Sequence, residues 1–281
     1  MTSRRKENDR FLLLGDSITE WSFDNQGLGA QLSHLYHRRL DVVNRGLAGY
    51  NSRWALECFK QWLPASPEED DEGGGEPHTV LATLWLGAND SVLPGNVQHV
   101  PLEEFRDNLE QICRLFSSRQ SRHHDPQTEF VLITPPPISP RDWAVERERR
   151  ELTGPMDRTN DNTRRYADEV VQLGRELDVP SVDAFAAIWS AATDEANETG
   201  QAFETVLGTY FWDGLHLSVK GYKQVVDEVK RVIAKSYPEK HWDSLPMLFP
   251  DWKTIPQESQ ATVREQLDFI SRTDRQKPLK R

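Results

Sequence analysis

Residues 11–20 read FLLLGDSITE, an apolar run that stops at Gly15 and is followed at once by Asp16 and Ser17. A buried strand that ends on a small residue and turns sharply holds the next hydroxyl at the edge of a sheet, open to a ligand. A serine there serves as a nucleophile only if the chain also supplies three things. It needs a base, a group that orients the base, and donors for the oxyanion formed on attack at a carbonyl.

Outward from this stretch, short apolar runs alternate with longer helical patterns, the signature of βα units and a mainly parallel sheet. Strands are predicted at 11–14, 40–46, 79–87, 130–134 and 180–185, and TVLATLWLG at 79–87, the longest and most β-branched, is expected at the centre. Helices are predicted near 28–39, 51–62, 102–119, 157–178 and 218–236, with a further charged helix at 141–150. Within 102–119, Phe105, Leu109, Ile112 and Phe116 recur at three- and four-residue steps and so share one core-facing side. Two stretches break the alternation. Residues 64–78, PASPEEDDEGGGEPH, combine Pro, Gly and a block of acids that cannot bury itself, and read as a mobile acidic loop inserted in a domain spanning 1–237. The tail at 238–281 carries Trp242, Leu248, Phe249 and Trp252 among prolines, and is expected to clamp onto the domain or onto a partner subunit.

The 281 residues have a formal net charge of -11, which argues against a nucleic-acid groove, because neutralising phosphates takes clustered Lys and Arg. Apolar residues are 37% and the mean hydropathy is -0.69, as for an ordinary core with polar appendages. No run approaches the roughly 18 apolar residues that span a bilayer. With no apolar leader evident after MTSRRKENDR, and Cys58 and Cys113 both in helical patterns, a cytoplasmic protein with buried, reduced thiols is expected.

The best base is His216 in FWDGLHLS at 211–218, where Asp213, three residues earlier, can reach Nδ1 through a turn eased by Gly214 and leave Nε2 facing outward. Taken alone, DGLH reads more simply as an Asx-capped loop entering the helix at 218–236, with the histidine merely surface-exposed. No other histidine has an aspartate in a comparable turn. Oxyanion donors are expected at neighbouring strand ends: the Ser17 N–H, the Gly46 N–H closing NRG at 44–46, and the Asn89 amide in GAND at 87–90. Each has a plainer reading as a strand-end glycine or a helix cap, but their order along successive strand ends favours a site. Asp16, beside the nucleophile on an extended segment, points away from it and is expected to brace the turn. Trp21, Trp54 and Trp212 flank the motifs and are candidates for an apolar substrate pocket, with core packing as the alternative.

These blocks resemble the SGNH, or GDSL, hydrolase superfamily. GDSIT matches its first block at Ser17, NRGLAG its second at Gly46, GAND its third at Asn89, and DGLH its fifth at Asp213 and His216, in the family's order from residue 15 to 216. A lone GDS is a weak signal, whereas four blocks in order are strong. The stretches FLLLGDSITEWSF, GYNSRWALE, LGANDS, VPLEEFRDNL and FWDGLHLSVKGY, with PDW in the tail, are similar to the isoamyl acetate-hydrolysing esterases. The resemblance implies a three-layer α/β/α flavodoxin-like sandwich around a mainly five-stranded parallel sheet. It also implies hydrolysis of short-chain carboxylic esters through an acyl-enzyme, with no metal or organic cofactor and with homodimers in some members. The acidic loop and ATDEANETGQAFE at 192–204 look like departures that could reshape the pocket.

Rival readings use the same residues. An acyltransferase or a deacetylase of an acetylated metabolite would need the same catalytic groups. Metal-dependent phosphoester hydrolysis would need further His and acidic ligands that the motifs do not offer. A non-catalytic interaction protein on a hydrolase fold would have no use for the full set of serine, aspartate, histidine and oxyanion residues.

Overall fold

In the computed structural model the apolar runs become strands: β1 (Arg10–Gly15), β2 (Asp41–Gly46), β3 (Thr79–Trp85), β4 (Glu129–Ile133) and β5 (Ser181–Val182). The structure describes residues 8–24, 26–66, 77–249 and 252–254. Every neighbouring pair is parallel and the order is β2-β1-β3-β4-β5, so β3 is central, as its unbroken burial requires. The chain leaves β1 to one side for β2 and crosses to the other for β3. That reversal opens a crevice beyond the carboxyl ends of β1 and β3, where doubly wound sheets bind ligands.

Side-chain alternation along the strands builds the three layers. Phe11 and Leu13 of β1, with Leu81 and Trp85 of β3, join one core cluster, and Leu12 and Leu14, with Ala82 and Leu84, join the other. The first is closed by α2 (Leu28–Leu35), α7 (Ala184–Thr199) and α9 (Val219–Ser236), the second by α3 (Ser52–Trp62), α4 (Leu102–Ser117) and α6 (Asn160–Leu177). Phe105, Leu109, Ile112 and Phe116 of α4 all enter the second cluster, as their spacing predicts. The short α1 (Ser17–Glu20), the charged α5 (Pro140–Arg149) and α8 (Phe203–Gly208) lie between strand ends and outer helices.

The fifth strand is shorter than its apolar run suggests. Asp183 leaves the sheet, and its side chain caps α7 by accepting the Ala186 N–H at 2.9 Å. The sequence reading missed α7, half of which lies within the supposed departure at 192–204. Its buried stripe of Ile188, Ala192 and Ala196 is made largely of alanine, which gives little hydrophobic contrast. Cys113 is buried and its thiol is pushed up to about 12 by burial, whereas Cys58 is only half-buried. The first part of the tail lies along the end of α2. Leu248 donates its N–H to the Arg38 carbonyl, the Tyr36 hydroxyl donates to the Lys240 carbonyl, and Trp242 stands edge-on to Tyr36. Most of the acidic loop, 67–76, and the tail beyond 254 lie outside the described residues.

Candidate active site

Ser17 is held by a turn that tolerates almost no substitution. A Cβ on Gly15 would lie 2.5 Å from the Trp85 carbonyl oxygen and 2.1 Å from Thr19 Oγ1, so only glycine lets β1 end against β3 and turn at once into α1. Asp16 then caps α1, its Oδ1 accepting the Ile18 N–H at 2.9 Å, which is the bracing role expected of it. Ser17 opens the helix with its hydroxyl oxygen 2.8 Å from His216 Nε2.

His216 arrives from the far end of the chain on a closed loop. Phe211 and Leu217 form an antiparallel bridge, the Trp212 N–H donates to the His216 carbonyl, and Gly214 turns at φ +90° where a Cβ would lie 2.2 Å from the Trp143 nitrogen. The structure keeps the Asx turn of the plainer reading of DGLH, but His216 is buried and α9 is capped by Ser218. Asp213 serves the turn and the imidazole through different oxygens. Asp213 Oδ1 accepts the N–H groups of Leu215 (2.9 Å) and His216 (2.7 Å), the Asx turn, while Oδ2 lies 2.7 Å from His216 Nδ1. A carboxylate can only accept, so Nδ1 carries the ring proton and the Nε2 lone pair faces the Ser17 hydroxyl. Burial pushes the Asp213 carboxyl up, but the His216 hydrogen bond and charge and the two N–H donors outweigh it, and the group stays below its ordinary value. On its outer side Asp213 Oδ2 also accepts from Arg150 at 3.2 Å.

The structure corrects one of the three oxyanion donors. The Gly46 N–H is occupied, donating to Asn44 Oδ1 at 2.8 Å, and a Cβ there would lie 2.1 Å from the Glu20 nitrogen. Glycine at 46 therefore serves the close packing of α1 on β2. Three residues on, Gly49 sits at φ +79° in open space, and among the described residues its N–H has no acceptor. Its carbonyl accepts Gln98 Nε2 at 2.8 Å, and the same nitrogen donates to Asn89 Oδ1 at 3.2 Å. Asn89 Nδ2 donates to the Tyr50 carbonyl at 2.8 Å. With Oδ1 committed to Gln98, the amide has one orientation, and the second Nδ2 hydrogen remains for a ligand. The Ser17 N–H, at the first position of α1, also has no acceptor among the described residues.

Trp21 and Trp212 flank the imidazole, with ring centroids 4.4 and 5.3 Å from it, and line a cavity of about 230 Å³ with Asp24, His216, Leu217 and Tyr222. Trp54 does not line it. It packs edge-on to Tyr50, behind the carbonyl that holds Asn89. No three His, Cys, Asp or Glu side chains among the described residues come together as a metal site would need.

Beneath the site lies a set of buried ionisable groups, of which the sequence reading singled out Asp16 alone and only as a brace for the turn. Burial pushes the Asp16 carboxyl up to about 7 and Asp90 up to about 6, in each case against hydrogen bonds that favour the carboxylate. Arg158 stands among them, drawn down to about 10 by burial, with its guanidinium bonded to the Ala88 carbonyl and lying over the Trp143 ring. Nothing in MDRTN marks Arg158 in the sequence. Gly49 had a signal, since LAGYNS contains a second glycine, but Gly46 stood nearer the strand end.

A family model described as the GDSL-like lipase/acylhydrolase family matches residues 13–224. The chain is 35% identical over 256 residues to the "Isoamyl acetate-hydrolyzing esterase" of Saccharomyces cerevisiae, covering 88% of this chain and 95% of that one. It is 37% identical over 267 residues to the "Isoamyl acetate-hydrolyzing esterase 1 homolog" of Bos taurus, covering 94% and 93%. Among solved structures, a lipase/acylhydrolase from Enterococcus faecalis superposes with a TM-score of 0.51 at 21% identity, covering 80% of this chain and 95% of that one, a likeness of fold. With the sheet order, the turn at Ser17 and these relatives in agreement, the chain belongs to the GDSL-like lipase/acylhydrolase family and is a carboxylic ester hydrolase.

Proposed function

We propose that this enzyme cleaves short-chain carboxylic esters, acetate esters of small alcohols among them, through an acyl-enzyme on Ser17. The observation that carries the reading is the continuous line from Ser17 Oγ to His216 Nε2 at 2.8 Å and from Nδ1 to Asp213 Oδ2 at 2.7 Å. His216 takes the hydroxyl proton as Ser17 Oγ attacks the ester carbonyl, and Asp213 holds the tautomer and stabilises the imidazolium. The oxyanion is received by the Ser17 N–H, the Gly49 N–H and Asn89 Nδ2, each donor worth ~3 kcal/mol in the transition state. Collapse expels the alkoxide, which leaves with the proton from Nε2. Water then repeats the attack on the acyl-serine, and the acid departs.

The pocket beside the imidazole supports small alcohols. It borders the His216 ring, its volume of about 230 Å³ suits a few carbon atoms, and Trp21, Trp212 and Leu217 give it apolar wall beside the polar Asp24 and Tyr222. Hydrolysis of p-nitrophenyl esters from acetate to octanoate tests the reading, with kcat/KM expected to fall as the acyl chain lengthens. Intact-mass analysis after a small organophosphonate should find one adduct, lost in Ser17→Ala. A Ser17→Ala protein that keeps full esterase activity would end the proposal.

A further inference from the structure

Beyond the three oxyanion donors, we infer that Arg158 is a positioning residue of the oxyanion hole: from beneath, it fixes the Asn89 amide with Nδ2 toward the substrate and sets a positive charge behind that amide. The inference rests on the reading of Asn89 as an oxyanion donor.

A guanidinium so deep in the molecule needs a reason. Arg158 is 4% exposed, and a buried charge is costly unless a carboxylate or a full set of hydrogen bonds compensates it. Yet among the described residues Arg158 forms no ion pair, and its Nε has no hydrogen-bond partner. Its two terminal nitrogens both reach the loop after β3: Nη1 donates to the Ala88 carbonyl, and Nη2 donates to Asn89 Oδ1 at 3.5 Å. The Trp143 ring, 5.3 Å from the guanidinium carbon, backs the group and is itself tied through Nε1 to Asp157 at 2.9 Å. Packing alone would be served by an apolar side chain, without the cost of burying a charge.

The acids around Arg158 attract it from a distance but are engaged elsewhere. Asp157 pairs with Arg147 at 2.8 Å, and Asp213 serves His216 and its own turn, with Arg150 on its outer side. Asp16 caps α1, and Asp90 Oδ1 accepts the Ser52 N–H at 2.8 Å. Burial raises both Asp16 and Asp90 and so favours their uncharged forms. None of the four bonds to the guanidinium, whose hydrogen bonds all go to the Ala88–Asn89 loop. Asn89 Oδ1 thus lies between Gln98 Nε2 at 3.2 Å and Arg158 Nη2, and a flipped amide would set its NH2 against two donors. A donor held in one orientation with a cation behind it stabilises charge developing on the ligand oxygen without reorganising when the charge appears.

The test is a double-mutant cycle on the hydrolysis of p-nitrophenyl acetate, with circular dichroism and urea midpoints to confirm folding. Arg158→Met should lower kcat ~10- to 100-fold, with KM within about twofold of wild type. In the Asn89→Ala background the same change should cost at most about a further twofold, because the group it acts through is gone. Arg158→Lys, which keeps the charge and can still reach one carbonyl, should recover part of kcat. If Arg158→Met fails to fold, Arg158→Lys in both backgrounds carries the cycle, with a loss of several-fold in wild type and about none in Asn89→Ala. A second readout needs no turnover: the side-chain amide protons of Asn89, assigned by their disappearance in Asn89→Ala, should shift and exchange faster with solvent in the Arg158 variant. Losses that multiply in the double variant, a change in KM alone, wild-type kcat in the Arg158 variants, or unmoved amide protons would overturn the inference. A wild-type protein that hydrolyses no ester, while its Asn89 amide protons still respond to Arg158, would instead refute the functional reading alone.

Discussion

Buried histidine–aspartate pairs stand at both edges of the sheet. At the carboxyl edge His216 Nδ1 meets Asp213 at 2.7 Å, and at the amino edge His78 Nδ1 meets Asp125 at 3.0 Å. The two carboxylates are alike: burial pushes each up, the histidine and backbone N–H groups outweigh it, and each ends below its ordinary value. The second nitrogen of the ring separates them. His216 Nε2 faces a serine hydroxyl at 2.8 Å and its ring borders a cavity, whereas His78 Nε2 faces the side-chain amide nitrogen of Gln127 at 3.4 Å. Asp125 also accepts the Thr79 N–H, so the lower pair fastens the start of β3 to the loop before β4. A histidine–aspartate pair is therefore an ordinary structural joint until a nucleophile and open donors stand at its free end.

The largest expected effect breaks the comparison at its centre. Ser17→Ala or His216→Ala should lower kcat/KM for a short ester by at least ~10³-fold, while His78→Gln should leave it within about twofold of wild type, since His78 lies at the opposite edge. A large activity loss in a folded His78→Gln enzyme would mean that the lower pair contributes to the chemistry. Next in size is Asn89→Ala, with kcat reduced ~10²- to 10³-fold and KM little changed, as expected when a donor acts mainly in the transition state. Gln98→Ala, which only unfixes the amide and the Gly49 carbonyl, should cost less, about tenfold in kcat. Equal losses in the two variants would mean that Gln98 itself reaches the substrate.

The two pairs also differ in how far the sequence reveals them. Asp213 and His216 share one four-residue turn, so spacing alone brings them together. Asp125 and His78 lie 47 positions apart and meet only because β3 and β4 are neighbours. The same divide runs through the rest of the molecule. The strands, the turn at Ser17 and the loop at Gly214 are local, and each is legible because one residue type is needed at one place. Gly46 was misread for the complementary reason. A glycine at a strand end suits both close packing and a free N–H, and the choice depends on Asn44 and Glu20 nearby in the fold. Arg158 and Gln98 act wholly through distant partners, so neither has a pattern of its own.

A smaller effect concerns stability. Removing the His78 ring leaves a buried carboxylate short of a partner, and His78→Ala should cost about 1–3 kcal/mol in urea unfolding at pH 7, with the specific activity of the folded fraction unchanged. Calorimetry and active-site titration on the same sample separate the two readouts. A loss of activity per titrated site would show that the joint at the amino edge supports the geometry at the other.

The smallest effect sets Asp16 against the paired aspartates. Its carboxyl is raised by burial to about 7, so at mildly acid pH the folded protein binds a proton that the unfolded chain, with an aspartate near its ordinary value, does not. The stability from this group is thus fully present below pH ~4 and is lost as pH rises toward 7. Asp125 and Asp213 work in the opposite sense: their contribution is present above pH ~4 and is lost as pH falls through their depressed folded values. Asp16→Asn keeps an acceptor for the Ile18 N–H but cannot titrate. Against wild type it should flatten the decline in unfolding free energy between pH 4.5 and 7.5, leaving the variant more stable at the upper end by roughly 1–2 kcal/mol. Asp125→Asn should leave that slope unchanged and alter only the acid side. Curves for Asp16→Asn and wild type that run parallel across this range would mean that Asp16 is ionised throughout, with Arg158 as its counter-charge.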